Sequence, residues 1–169
     1  GAAGGGYGGS GGGCSTGNTA YGDPKHPFAL GSGGGTQSVY GQTGGASAGR
    51  IRIVAIEEVN ITGGILANGG KGNGASNIYG SGGGSGGAIW IDAPNIAGSG
   101  NITANGGDGG LRFGGGGSGG RVALYYTNLL SPGLNIRAKG GCTSSSNGCS
   151  STNAGGGTIY DAVLDQVTF

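Results

Sequence analysis

Aliphatic residues lie in short islands between glycine-rich stretches, and apolar and polar positions alternate within each island. In residues 50–53 the two isoleucines fall on one face and the two arginines on the other. The same alternation recurs in residues 88–92 and 121–125. A period of two residues is typical of half-buried β-strands. The pattern therefore predicts an all-β chain of short strands.

The islands themselves recur in a fixed order at intervals of about 36 residues. One series of aliphatic positions consists of Ile51, Ile89, Val122 and Ile159. A second series, each member followed two residues later by alanine, consists of Ile65, Ile102 and Ile136. An Asn followed by an aliphatic residue lies between the two series, at Asn60, Asn95 and Asn128. Such an order predicts an array in which equivalent strands stack and share a narrow core.

The predicted fold class is all-β, a glycine-rich β-helix or β-solenoid-like stack of short strands with polyglycine or polyproline-II-like arms. The array occupies residues 41–169 in about 3.5 repeats, with boundaries at 41–80, 81–114, 115–155 and 156–169. Residues 1–40 are predicted to form a glycine-rich N-terminal arm and a turn-rich cap. A β-sandwich of short strands is the alternative. Asp161 occupies an aliphatic position of the other repeats, which indicates an array end or a change of register.

Glycine supplies 50 of the 169 residues, whereas charged residues supply 9%. An interior glycine costs a helix roughly 1 kcal/mol relative to alanine, so a helical protein is excluded. Collagen is excluded because glycine does not hold every third position. In residues 4–13 a local three-residue period suits packed polyproline-II strands, with a flexible linker as the alternative. Residues 80–87 and 114–120 lead directly into strands and are expected to be ordered arms.

The net charge of +1, with 8 Lys and Arg, leaves no basic footprint for nucleic acid. No apolar run approaches the roughly 18 residues of a membrane span. Because the chain contains no Met, we expect it to be a processed or excised piece of a longer product.

Three cysteines are present. Cys142 and Cys149 bracket a polar loop, a spacing that predicts a local disulfide, with two free thiols as the alternative. Cys14 is left over and either pairs outside this sequence, pairs between chains or stays free. Zinc is not indicated, because the sequence has one His and no Cys-x-x-Cys.

No catalytic, cofactor-binding or metal-binding residue is predicted. Glu57 and Glu58 are adjacent, and adjacent side chains of a strand point to opposite faces, which makes a poor carboxylate pair. His26 has no Ser or Cys motif beside it. We therefore expect a protein that is not an enzyme. An enzyme on a β-helix scaffold and an ice-binding protein are weaker hypotheses, the latter opposed by Arg and Trp on the outer face.

The outward strand positions carry aromatic and arginine side chains, a composition typical of binding surfaces. The predicted face consists of Trp90, Tyr125, Tyr160, Arg52 and Arg121. It would stack sugars or a neighbouring subunit. The alternative is that these side chains cover a neighbouring layer of the same fold.

Two sequons predict N-glycosylation in a secreted protein, at Asn60 and at Asn101. In each, the middle Ile is expected to point inward, with Asn and Thr outward. Asn60 has an alternative role as a structural turn residue of the repeat.

Three motifs follow one another along the chain. YGDP at 21–24 precedes GSGGG at 31–35, and then GGGSGG[AR][IV] and [IL]-x-A-N-G-G recur. This arrangement resembles glycine-rich repeat modules of very large extracellular and cell-surface proteins of eukaryotes, including algal and protist surface-coat and mastigoneme-type proteins. The resemblance covers most of the chain and implies a secreted structural role without catalytic residues. A looser likeness, limited to the GGX stretches, is to phage tail-tip adhesins and glycine-rich antifreeze proteins, from which the aliphatic islands depart.

The sequence thus predicts a non-catalytic structural module of a filament, appendage or cell-surface coat, located outside the cell or at its surface. Short exposed strand ends predict self-association or contact with other chains of the assembly. Glycans are further expected partners, nucleic acid and membrane insertion are not, and no cofactor is expected. The alternative function is an adhesin or glycan-binding module that uses the outward aromatic and arginine face.

Overall fold

The computed structural model describes residues 1–13, 18–74, 79–130, 133–145 and 148–163; for residues 40, 145 and 148–153 the backbone alone is described. The described chain is essentially all-β, with a single 3-10 turn, η1 (Ser38–Tyr40). Its strands are β1 (Arg50–Val54), β2 (Glu58–Ile61), β3 (Gly64–Leu66), β4 (Ala88–Asp92), β5 (Asn95–Gly98), β6 (Asn101–Thr103), β7 (Arg121–Tyr126), β8 (Asn128–Leu129), β9 (Asn135–Arg137), β10 (Cys142–Ser145), β11 (Gly148–Asn153) and β12 (Thr158–Val163).

Equivalent strands of successive repeats pair in parallel. They form three sheets with the strand orders β1-β4-β7-β12, β2-β5-β8 and β3-β6-β9. The register brings Ile51, Ile89, Val122 and Ile159 side by side, as the repeat predicted. Asp161 lies opposite Leu124 in the same unbroken register, so its place in the aliphatic column involves no register change.

The core lies between the three sheets and is filled by aliphatic side chains of the middle repeats. Those that are fully buried are Ile89, Ile91, Ile96, Ile102, Val122 and Leu124. Burying one such side chain contributes about 1.5–3 kcal/mol. At the ends of the stack the same columns open to solvent: Ile53 is half-buried and Ile159 is 48% exposed.

The second series also aligns, because Ile65, Ile102 and Ile136 are register neighbours. The Asn series aligns only in part. Asn95 lies beside Asn128 and is joined to it by a side-chain hydrogen bond, but Asn60 lies beside Ala97. Glu58 occupies the position expected for Asn60. Asn60 lies two residues beyond Glu58 in β2, so it falls outside the column that contains Asn95 and Asn128.

The glycine-rich arms are ordered and form a bundle beside the sheets. Residues 80–87 show the period of three most clearly. Their backbone N–H groups donate in turn to the carbonyls of three other segments, with N···O distances of 2.8–3.0 Å. Residues 80, 83 and 86 donate to 112–118, residues 81, 84 and 87 to 67–73, and residues 82 and 85 to 32–35. This is the three-residue repeat of a polyproline-II-type strand.

The carbonyl groups of residues 80–85 complete the pattern by accepting from three further segments. Residues 80 and 83 accept from 2–5, residues 81 and 84 from 107–110, and residues 82 and 85 from 45–48. The arm is therefore bonded to six neighbouring segments through its backbone. Two buried hydroxyls add to these contacts: Ser81 donates to the carbonyl of Thr43, and Ser85 accepts the backbone N–H of Ser32. A Cβ on Gly84 would overlap the carbonyl oxygen of Ala46, which is the physical reason for glycine there.

Residues 1–13 belong to the same bundle but not as one arm. Tyr7 donates its backbone N–H to the carbonyl of Gly9, and Gly4 donates to Gly12. The segment therefore runs into the bundle, turns and runs back. The regular glycine columns expected along residues 4–13 are interrupted at this turn.

The predicted disulfide loop is an antiparallel hairpin of β10 and β11. Cys142 is disulfide-bonded. Cys149 lies in β11 opposite Ser144 in the backbone register, and its side chain lies outside the described part of the structure, so pairing between Cys142 and Cys149 stays a prediction. Cys14 lies outside the described residues.

Candidate binding face

The outer face of the four-stranded sheet alternates large and small side chains from strand to strand. One register row contains Arg52, Trp90, Ala123 and Tyr160. The next row along the strands contains Asp92, Tyr125 and Ala162. Because alanine stands between Trp90 and Tyr160, the Tyr125 ring of the next row has room to contact both rings. The outward direction predicted for Trp90, Tyr125 and Tyr160 is thus found.

Residues 21–28, here called the strap, lie across this outer face rather than over an end of the stack. The strap bends at Gly22, whose φ of +80° suits glycine. Asp23 then closes a turn by accepting the backbone N–H of Lys25 at 2.8 Å, and its other carboxyl oxygen lies 3.2 Å from His26 Nδ1. The hydrogen bond from Lys25 is the main reason that the pKa of Asp23 is lowered.

Side chains of the sheet hold the strap by its backbone carbonyls. Arg121 Nη2 donates to the carbonyl of Tyr21 at 2.7 Å, and the Tyr125 hydroxyl donates to that of Lys25 at 2.8 Å. Arg50 donates to the carbonyl of Phe28 at 3.2 Å. Burial is the main cause of the raised pKa of Tyr125, which keeps this donor protonated. Three donors from two strands therefore fix the strap at three points.

Aromatic rings of strap and sheet form a continuous row along the stacking direction. Ring centroids of Phe28 and Trp90 are 4.9 Å apart, those of Trp90 and Tyr125 are 5.5 Å apart, and those of Tyr125 and Tyr160 are 5.7 Å apart. His26 adds an edge contact to Trp90 at 5.5 Å. We call Phe28, Trp90, Tyr125 and Tyr160 the aromatic row. Its spacing follows from the strand spacing of about 4.8 Å.

Three cations lie over rings of this row. Arg50 is 5.5 Å from the Phe28 centroid, Arg52 is 5.2 Å from that of Trp90, and the Lys25 ammonium is 5.6 Å from that of Tyr160. These are cation–π distances, and all three side chains are exposed.

Two members of the predicted face are covered. Trp90 is only 9% exposed because the strap packs on it, and Arg121 is only 5% exposed. Arg121 serves the fold: besides holding Tyr21, it donates to Thr158 Oγ1 at 2.9 Å and lies over the Tyr7 ring. Sequence reasoning missed Lys25, Phe28 and Arg50 as parts of the face. The signal for the strap was present, since two prolines beside Phe28 and His26 mark an extended, apolar segment.

The sequon asparagines are both exposed, on β2 and β6. Ile61 and Ile102 are buried between them and their threonines, as predicted. Thr103 is not outward and free: it is 9% exposed, because Leu66 and Arg137 flank it in the sheet. The side-chain oxygen of Asn101, Oδ1, accepts a hydrogen bond from the side-chain amide of Asn135 at 2.8 Å.

Other chemistry is sparse in the described part of the chain. No three His, Cys, Asp or Glu side chains there come close enough to hold a metal ion. A cavity of about 270 Å³ opens at the end of the core, between β1, β2 and β3, and is lined by Ile53, Val59, Asn60, Ile61, Thr62, Gly63, Gly64 and Ile65. Its lining mixes aliphatic and polar groups of the first layer of the stack.

No family model, curated protein or solved structure matches this chain. Among its described residues there is no helix with the length and apolar character needed to cross a membrane.

Proposed function

We propose that this chain is a β-solenoid that serves as a non-catalytic structural module of an extracellular filament, appendage or surface coat. The single observation that carries the proposal is the glycine bundle. A segment that is bonded to six neighbours through its backbone, and whose glycines leave no room for a Cβ, is a device for rigidity. The glycine bundle uses a large part of the chain for backbone packing rather than for chemically active groups.

The ends of the strand stack support assembly. Within the described residues, the sheet β1-β4-β7-β12 leaves one edge of β1 and one edge of β12 unpaired. Exposed aliphatic side chains accompany both edges, among them Val54 at the first and Ile159 and Val163 at the last. An unpaired edge with apolar side chains is a template for pairing with another chain. A head-to-tail contact of this kind, when it does not close, generates filaments.

Assembly is tested by electron microscopy and sedimentation velocity on the purified chain over a range of concentrations. Ile159→Lys places a charge in the aliphatic column at the free edge of β12. Val39→Lys is the matched control, because Val39 is 79% exposed in η1, outside the strand stack. We expect the unmodified chain and the control to form filaments or sheets, and Ile159→Lys to remain monomeric with an unchanged circular dichroism spectrum.

A chain that stays monomeric at every concentration, without substitution, would contradict assembly through these edges. The extracellular part of the proposal is tested separately, by secretion from a eukaryotic host and intact mass. Added hexose mass that disappears in Asn60→Gln and Asn101→Gln would support passage through the secretory pathway. The bare peptide mass would count against glycosylation.

A further inference from the structure

We propose that the strap and the outer face of the sheet together bind an anionic polysaccharide, one that carries sulfate or uronate groups. This proposal goes beyond the structural role and does not depend on it. The site consists of the aromatic row and the three cations Lys25, Arg50 and Arg52.

The aromatic row supplies a platform for sugar rings. Phe28 is 48% exposed, Tyr125 and Tyr160 are half-buried, and Trp90 is covered by the strap. The face of an aromatic ring is electron-rich, and the C–H bonds of a pyranose ring carry partial positive charge, so the two pack face to face. Adjacent ring centroids are about 5–6 Å apart, so the exposed rings of the row would contact successive parts of an extended sugar chain rather than one small ligand.

The charge of the platform selects an anion. Within the described residues the sole ion pair joins His26 and Asp23, so no described carboxylate lies within 4.0 Å of Lys25, Arg50 or Arg52. Asp23 is occupied by the Lys25 backbone and by His26, and Asp92 lies in the row of Tyr125. The cations are held in place by the rings beneath them, and their charge is left for a ligand. Fixed donors of this kind bind sulfate and carboxylate oxygens.

The strap makes the face rigid before a ligand arrives. Its backbone is held at three points by Arg121, Tyr125 and Arg50. Ligand binding then loses less conformational entropy than binding to a free loop would. An anionic glycan is favoured over nucleic acid, because the whole chain carries a net charge of only +1 and lacks an extended basic stripe.

The test compares dextran sulfate with unsulfated dextran in affinity electrophoresis, repeated at rising salt. Lys25→Gln/Arg52→Gln is the decisive variant. In the described structure these two side chains contact the face through the rings of Tyr160 and Trp90 and donate no hydrogen bond to the strap, so folding should be preserved. Lys71→Gln/Lys139→Gln removes the same charge from exposed sites elsewhere. Phe28→Leu/Tyr160→Leu keeps apolar bulk and removes the aromatic faces.

We expect dextran sulfate to retard the unmodified chain and the Lys71/Lys139 control equally, and unsulfated dextran to bind at least about tenfold more weakly. The Lys25/Arg52 variant should lower the slope of log affinity against log salt by about 2. The Phe28/Tyr160 variant should weaken binding at all salt concentrations. These results would support the proposal.

Three results would overturn it. If the Lys25/Arg52 variant and the Lys71/Lys139 control lose the same affinity for dextran sulfate, binding depends on net charge alone. If dextran sulfate does not retard the unmodified chain, an anionic polysaccharide is excluded as the ligand. Equal binding of a single-stranded oligonucleotide, with the same dependence on the variants, would assign the face to nucleic acid. Measuring binding at protein concentrations below those that give filaments separates this site from assembly.

Discussion

The strand layers and the glycine arms are both stacked repeats, but different atoms hold them together. In the strand layers, side chains such as Ile91 and Ile102 are fully buried and fill the space between sheets. In the arms the space between segments is closed by the backbone itself. Gly84 and Gly117, for example, each approach a neighbouring carbonyl so closely that a Cβ would overlap it.

This difference determines what each region tolerates. A core of aliphatic side chains accepts changes that keep volume, because its stability depends on buried apolar area and close packing. At positions such as Gly84 and Gly117 the bundle accepts no added atom, because the segment is enclosed by neighbours and cannot move away from all of them. The arms are therefore expected to be the more fragile region, although they contain the simplest sequence.

Gly84→Ala should lower the free energy of unfolding more than any other substitution considered. Its Cβ would overlap the carbonyl oxygen of Ala46 in the middle of the bundle. We expect a loss of more than about 4 kcal/mol in the free energy of unfolding, a large part of the roughly 5–15 kcal/mol that stabilises a domain. Denaturant unfolding followed by circular dichroism measures the loss, and amide hydrogen exchange locates it in the arms.

The control for this effect is Gly49→Ala or Gly63→Ala. At both positions a Cβ would meet nothing within 4 Å, and neither backbone is in the left-handed region. The change should leave stability within about 1 kcal/mol or raise it, because alanine reduces the entropy of the unfolded chain. Equal stability of Gly84→Ala and Gly49→Ala would contradict the bundle.

The next effect concerns the strand layers. Ile91→Ala removes a fully buried side chain from the middle of a column, and we expect a loss of about 2–5 kcal/mol. Ile91→Val should cost only about 0.5–1.5 kcal/mol. Ile159→Ala, in an end layer and 48% exposed, should cost less than Ile91→Ala. Equal costs for the two Ala substitutions, measured by denaturant unfolding, would mean that the end layer is covered.

The strand columns could be predicted because their spacing and alternation are written in the sequence. Ile51, Ile89 and Val122 were matched by period alone, and the parallel register follows them. The place of Asn60 could not be matched in this way. It depends on the length of one corner, and no pattern of apolar residues fixes how many residues a corner contains.

The neighbours of each glycine arm and the position of the strap could not be predicted either. Glycines are chemically identical, so a sequence does not tell which arm a given carbonyl meets. The strap is held through backbone carbonyls such as that of Tyr21, which Arg121 reaches from 100 residues away. Every residue has such a carbonyl, and composition therefore carries no signal of the contact that covers Trp90.

A smaller effect compares two buried tyrosines, one in each region. Tyr126 of β7 is hydrogen-bonded to the Asp161 side chain, whereas the hydroxyl of Tyr7 in the arms is buried without a hydrogen-bond partner in the described structure. Tyr126→Phe should therefore cost about 1 kcal/mol, and Tyr7→Phe should be neutral or stabilising. Thermal and denaturant unfolding of both variants would measure the difference. A similar loss in both would mean that the Tyr7 hydroxyl has a partner after all, such as a bound water.

The same two tyrosines predict how stability changes at alkaline pH. The Asp161 hydrogen bond raises the pKa of Tyr126 to about 12, and burial raises the pKa of Tyr7 to about 12, against about 10 in an unfolded chain. Because both values are raised, their contribution to stability is complete below pH 10 and is lost as the pH rises from 10 to 12. The free energy of unfolding should fall more steeply over that window in the unmodified chain than in Tyr7→Phe/Tyr126→Phe. Parallel curves, with tyrosinate absorbance appearing near pH 10, would mean that neither hydroxyl is shielded and that both regions open readily to solvent.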